Sequence, residues 1–351
     1  MEAGHITNKM KSISLTKMIF VLTLTSSEGG PWLPGQSSPA LMALHRGGSS
    51  SLEQPLNCTN LMHSVWSVPG ERQYMEDEYY VSGDGSFAAV FDGHGGSAVS
   101  RYLRQNLYAN YQAALPTSQN MHNLAEGDEQ FESAVSSALR SAFRKVDKEV
   151  QSIVHWSFQG STACAVVIQE NIASGTRSII SANVGDSRAV LSRNGTAIEL
   201  TKDHKPNNVL ERERVEALGG SVDWCGELNE KGEPIEDTGV YRINGNLALS
   251  RSIGDRCERP WVSSDVDISH NTVDEDSDSF VLLASDGLFD VMTSQDAVSF
   301  IHEQLTKTKP EDHQYLRKNI ARLVADEALK RGTLDNVTVL VLWFLTKEIN
   351  N

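Results

Sequence analysis

The chain of 351 residues, enough for one large α+β unit or for about two domains, carries 31 Lys and Arg against 46 Asp and Glu, with a net charge of -15 and a pI near 5.1. Polyphosphate binding rests on a dense cationic face, so this balance excludes nucleic acid as the expected partner. The four cysteines, Cys58, Cys164, Cys225 and Cys257, include no C-x-x-C pair; that excludes a cysteine zinc site and a disulfide framework and fits a reducing compartment.

Residues 1–55 are rich in Ser, Gly and Pro without sustained periodicity and read as a disordered leader. Within it, the apolar patch Met18 to Thr25 follows Lys9, Lys11 and Lys17, a pattern open to a targeting role. The patch is too short to span a bilayer, so no stable membrane insertion is expected. A cytoplasmic or nuclear location is expected, with an organellar one through the leader as the alternative.

From residue 56 to 346 short β-rich runs alternate with long amphipathic helices, which predicts one folded domain. Strands are predicted at Phe87 to Phe91, Thr162 to Ile168, Ser178 to Val184, Arg188 to Ser192, Phe280 to Ala284 and Val337 to Phe344. Helices are predicted over 97–115, 130–153 and 311–331. The second shows Phe131, Val135, Leu139, Phe143, Val146 and Val150 at three- and four-residue steps, one stripe facing a core. The tight links Gly185-Asp186-Ser187 and Arg193-Asn194-Gly195 favour antiparallel hairpins over a βαβ repeat, and hence an α+β fold. The acidic stretch Ser221 to Val240 reads as an exposed flap, and Asp274 to Asp278 as a solvated loop. Asn57, Asn194 and Asn336 each head an N-x-T sequon, a pattern frequent by chance. Cys164, inside an apolar run, is expected in the core.

Three apolar runs feed into an aspartate: Val90-Phe91-Asp92-Gly93, Val184-Gly185-Asp186-Ser187 and Ala284-Ser285-Asp286-Gly287. A fourth, Asp335, stands just before a strand. One aspartate at a strand end is ordinary turn chemistry; four invite a common cause. If they converge, each close like-charged pair costs ~4 kcal/mol at an effective dielectric near 20, comparable in sum to the stability of a domain. Bound cations then offset the repulsion, and oxygen-only ligands select hard ions such as Mg²⁺ or Mn²⁺. Upstream, Arg72 precedes Glu76 and Asp77, and its planar fork suits two phosphate oxygens. His94, two residues beyond Asp92, has the chemistry to protonate a leaving alkoxide.

Arg72 to Asp77, Asp92 to Gly96, Gly160-Ser161-Thr162-Ala163, Val184 to Arg188, Leu249 to Asp255, Ala284 to Gly287 and Asp335 to Thr338 stand in one order that resembles the metal-dependent protein phosphatases of the protein phosphatase 2C type. The resemblance runs from about Val65 to Phe344. It implies a four-layer αββα sandwich, two central antiparallel sheets flanked by helices, with a binuclear metal centre at one end of the sheets. It also implies that residues 56–346 form the catalytic domain, a serine/threonine phosphatase acting on phosphorylated proteins as a monomer. Residue by residue, Asp92 is implied to bridge two Mg²⁺ or Mn²⁺ ions, the Gly93 carbonyl to bind one, and Asp286 and Asp335 the other. Glu76 and Asp77 belong to the surroundings of that centre, and Asp186 with Asp286 to a weaker third site. Arg72 is implied to clamp the phosphate and His94 to be the general acid. The enlarged acidic flap departs from the pattern and leads us to expect a preference for basic residues flanking the phosphosite. Two further readings remain open: a pseudophosphatase that keeps the fold as a binding module, and a phosphatase acting on small metabolites.

Overall fold

The computed structural model describes residues 61–116, 128–170, 176–235 and 238–344. The leader, its apolar patch and Cys58 lie outside these residues, as does the side chain of Phe131.

One sheet joins β1 (Met62–Val68), β8 (Arg188–Arg193), β9 (Thr196–Glu199), β14 (Asp278–Ala284) and β15 (Val337–Trp343) in the order β1-β15-β14-β8-β9. The other joins β2 (Glu78–Val81), β3 (Phe87–Phe91), β6 (Ala163–Glu170), β7 (Arg177–Val184) and β13 (Asp267–Thr272) in the order β13-β7-β6-β3-β2. Every pairing in both is antiparallel. The helices are α1 (Ala98–Ala114), α2 (Asp128–Gln151), α3 (Val209–Ala217), α4 (Asp286–Phe289), α5 (Ser294–Lys307) and α6 (His313–Lys330).

β3 and β15 are buried along their whole length and β14 at every residue but Ser279, because both faces are covered. In β14 and β15, Phe280, Leu282, Val339 and Val341 pack with Val298, Ile301, Ile320 and Val324 of α5 and α6. The alternate residues Val281, Leu283, Leu340 and Leu342 meet Ala88, Val90, Cys164 and Val166 of the facing sheet. That second sheet turns Phe87, Phe91 and Ala165 outward onto Leu103, Leu107, Leu139 and Phe143 of α1 and α2. The result is the four-layer αββα sandwich. The stripe on α2 is buried at Val135, Leu139, Phe143, Val146 and Val150, each side chain worth roughly 2 kcal/mol.

The remaining strands are small. β4 (Gly93–His94), β5 (Gly160–Ser161) and β12 (Ile253–Gly254) form a miniature sheet, and β10 (Val222–Cys225) pairs with β11 (Val240–Ile243) as the base of the predicted flap. The flap is exposed along most of its described length.

Two local expectations are corrected. Arg193-Asn194-Gly195 does close a hairpin between β8 and β9, with Asn194 and Gly195 at φ 52° and 76° as such a tight turn needs. Gly185-Asp186-Ser187 does not: β7 and β8 lie in different sheets, and the link carries the chain from one layer to the other. Asp278 is not a solvated loop residue either. It opens β14, is buried, and takes both arms of Arg193 at 2.6 and 2.7 Å, because a buried carboxylate needs a charged, hydrogen-bonded partner.

Candidate active site

The sheet registers determine where the aspartates go. β14 and β15 run antiparallel with Ala284 opposite Val339, so Asp286, just past the end of β14, stands beside Asp335, just before β15. Ala284 is also opposite Arg188, which brings Asp186, before β8, to the same end. In the other sheet Glu78 pairs with Phe91, so Asp77 stands opposite Asp92. Three strand starts and two strand ends therefore deliver their acids to one end of the sandwich.

Hydrogen bonds pin that end. The Asp92 N–H donates to Thr162 Oγ1 at 3.0 Å, and the Thr162 N–H returns a bond to the Asp92 carbonyl at 2.8 Å. Ser285 Oγ donates to Asp77 Oδ2 at 2.7 Å while accepting from the Thr338 N–H at 3.0 Å. Asn336 fastens the loop that carries Arg72 and Glu76. Its Oδ1 accepts from the Glu76 N–H at 2.7 Å, and its Nδ2 donates to the carbonyls of Pro69 and Tyr74 at 2.9 and 3.0 Å. The sequon asparagine is thus a buried clip.

The electrostatics follow from the convergence. Burial, and then the charges of Asp77, Asp286 and Asp186, hold the Asp92 carboxyl well above the usual range. Asp286 is raised by burial, by Asp186 and by Asp290 and Asp335, against the lowering effect of Lys205. Burial pushes Asp77 to about 6 despite its bonds from Ser285 and Thr338. Two cationic side chains enter the cluster: Arg72 Nη2 lies 2.6 Å from Asp335 Oδ2, and Lys205 Nζ lies 2.5 Å from Asp186 Oδ2 and 3.9 Å from Asp286 Oδ2. His94 sits at the edge of the cluster on β4, its Nε2 2.7 Å from Asp255 Oδ2. Burial would lower the histidine, yet the bond and charge of Asp255 raise it above its ordinary value.

Among the described residues no three His, Cys, Asp or Glu side chains close on one point as a finished metal cage. The chemistry of the group nevertheless fits a hard divalent cation. Its donors are all oxygens, Arg72 and Lys205 offset their mutual repulsion only in part, and the buried Asp77 Oδ1 has no hydrogen-bond partner. Position 93 has room only for glycine: a Cβ there would lie 2.5 Å from the Glu76 carbonyl and 2.8 Å from Ser100 Oγ.

All nine residues singled out from the sequence, Arg72, Glu76, Asp77, Asp92, Gly93, His94, Asp186, Asp286 and Asp335, belong to the strand ends and loops at this end of the sandwich. The sequence reading passed over Lys205, Asp255, Ser285, Asp290 and Asn336. Asp255, Ser285 and Asn336 lie inside motifs quoted above and Asp290 three residues beyond one, which is the available signal; Lys205 lies outside them.

The chain matches the family model described as Protein phosphatase 2C over residues 71–337. It is 36% identical over 290 residues to the probable protein phosphatase 2C 69 of Arabidopsis thaliana, covering 80% of this chain and 70% of that protein. The fold superposes on the solved structure of a C. elegans sex determining protein at 26% identity and TM-score 0.66, over 82% of this chain and 65% of that one. A serine-threonine phosphatase 2C from Toxoplasma gondii, at 20% identity and TM-score 0.64 over 82% of this chain and 96% of the other, shares the fold. The chain belongs to the protein phosphatase 2C family and is an enzyme of the protein phosphatase class.

Proposed function

We propose that this enzyme removes phosphate from phosphoserine and phosphothreonine side chains of proteins, using two Mg²⁺ or Mn²⁺ ions. The carrying observation is the convergence of Asp77, Asp92, Asp186, Asp286 and Asp335 at one end of both sheets, with an arginine and a histidine at its rim. In this reading Asp92, the Gly93 carbonyl, Asp286 and Asp335 hold the two ions, Glu76 and Asp77 surround them, and Asp186 with Asp286 offers a weaker further position. When bound, the ions supply Lewis acidity, lowering the pKa of water and neutralising phosphate oxygens.

The chain's own residues do the rest. Arg72, whose side chain is 56% exposed, turns its fork to the phosphate and orients it for in-line attack. Asn336 holds the loop that carries Arg72. His94 delivers a proton to the departing serine or threonine oxygen. The exposed flap carries Asp223, Glu227, Glu230 and Glu233, and we assign it a preference for basic flanking residues.

Metal binding separates this reading from a binding module. A cation that binds only the folded state raises its melting temperature, so Mn²⁺ should stabilise the chain, and a negligible rise would favour the module. Faster turnover of a nucleotide than of a phosphothreonine peptide would point to small metabolites. In a matched peptide series, faster turnover of acidic members would refute the role given to the flap.

A further inference from the structure

We propose that Asp255 is a positioning residue for His94: it grips the ring at Nε2, fixes the tautomer with its hydrogen there, and leaves Nδ1 as the atom that exchanges a proton at the site. The catalytic part of this proposal rests on the reading of His94 as the proton donor.

Asp255 closes the Leu249 to Asp255 motif, to which the mechanism above gives no task. Its side chain is 3% exposed, and an isolated buried carboxylate is costly. Its partners are specific. Oδ2 lies 2.7 Å from His94 Nε2 and accepts from Ser252 Oγ at 2.5 Å. The bland role for an aspartate here would be to cap the short 3₁₀ turn Arg256–Glu258 that it precedes, but its side chain makes no capping bond. The backbone is in the left-handed region at φ 48° and ψ 49°, a conformation uncommon in non-glycine residues and held only where the surroundings impose it.

The miniature sheet imposes it. Gly160 on β5 is the register partner of both His94 on β4 and Gly254 on β12, so one strand brings Asp255, next to Gly254, beside His94 across 161 positions of chain. The Asp255 N–H donates to the Gln159 carbonyl at 2.9 Å. Gly160 is also where the pair needs room: a Cβ there would lie 2.1 Å from Asp255 Oδ2 and 2.5 Å from His94 Nε2.

A carboxylate only accepts, so Nε2 must carry the hydrogen and the neutral ring's lone pair lies on Nδ1. Nδ1 has no hydrogen-bond partner among the described residues, and the His94 side chain is 25% exposed. In the reaction the water oxygen forms the new P–O bond, its surplus proton leaving to solvent, and the bond to the alkoxide oxygen breaks. The ring enters this step as the imidazolium, protonated at both nitrogens; its Nδ1 proton passes to the alkoxide oxygen, leaving the ring neutral with its hydrogen on Nε2.

The test uses the full chain labelled with ¹⁵N-histidine, the His94 signals being those absent from His94→Gln. At a pH high enough to leave the ring neutral, wild type should show the Nε2–H pattern, and Asp255→Asn a mixture of tautomers. General-acid assistance is typically worth 10²- to 10⁴-fold, so Asp255→Asn should slow a phosphothreonine peptide by about 100-fold while slowing an aryl phosphate with a good leaving group far less. An Nδ1–H pattern in wild type, which needs no variant to fold, would overturn the assignment. So would an equal loss on both substrates in Asp255→Asn. If His94→Gln itself shows no leaving-group difference, the reading of His94 as acid fails, and the tautomer spectrum still decides what Asp255 does.

Discussion

Replacing a carboxylate of the active site should make the metal-free protein more stable, and Asp77 allows the effect to be sized. Its carboxyl titrates near 6 in the folded chain, chiefly through burial, against an ordinary 3.8. For an acid whose folded pKa is raised, ionisation opposes folding: the penalty is full above the folded value and disappears below the ordinary one. A shift from 3.8 to about 6 corresponds to about 3 kcal/mol at pH 7.5, falling to about 1 kcal/mol at pH 4.5. Asp77→Asn keeps an oxygen for the Ser285 hydroxyl and turns its amide toward Asp92, so most of that penalty should be recovered. At about 2 °C per kcal/mol for a domain of this size, the variant in EDTA should melt some 4 to 6 °C above wild type at pH 7.5. Paired thermal unfolding scans at the two pH values measure it. A lower melting temperature for Asp77→Asn at pH 7.5, or a gain that does not shrink at pH 4.5, would refute the picture of a carboxylate whose ionisation opposes folding. With Mn²⁺ in excess the order should narrow or reverse, because the wild type then gains more from the ion.

Other expectations rest on separate contacts. Glu211 accepts from Arg251 at 2.9 Å and from Arg214 at 3.0 Å; burial would raise its carboxyl, but these guanidinium groups hold it down at about 2. Its contribution is therefore complete above its ordinary 4.5 and lost as pH falls toward 2. Glu211→Gln removes the carboxylate that the two arginines share, while Arg251 keeps Asp267 at 2.9 Å; it should cost about 2 kcal/mol in urea unfolding at pH 7, with the difference from wild type shrinking in acid. Lys205→Met leaves the buried Asp186 without its cation and should destabilise the metal-free chain by ~2 kcal/mol, less than for a fully enclosed pair; Mn²⁺ should then raise its melting temperature more than that of wild type. Gly287→Ala would place a Cβ 2.0 Å from the Asn336 carbonyl and should reduce both stability and activity, read by melting and by peptide turnover.

Much of the fold was legible because its central strands are continuous Val, Ile, Leu and Phe runs, buried on both faces. The predicted strands at β3, β7 and β8 match to within a residue at each end. The edge strand β13, Asp267–Thr272, reads Asp-Ile-Ser-His-Asn-Thr and carries too little apolar signal to be found. β1 was missed although it pairs with β15 along its length. Helix α5 went unpredicted despite its capping box, in which the Asp296 N–H donates to Thr293 Oγ1 and the Thr293 N–H returns to Asp296. In the site, aspartates at strand ends are a local pattern and were found. The clip of Asn336 on Glu76 spans 260 residues and the grip of Asp255 on His94 spans 161, so both depend on sheet register, which local sequence does not state.

Activity on a phosphothreonine peptide, measured on the purified chain with Mn²⁺, with EDTA and as Asp286→Asn, tests the central claim most directly. The substitution preserves side-chain size and removes one charged oxygen ligand. The account requires turnover that depends on Mn²⁺ and largely disappears in the variant. Turnover that survives both EDTA and Asp286→Asn would contradict it.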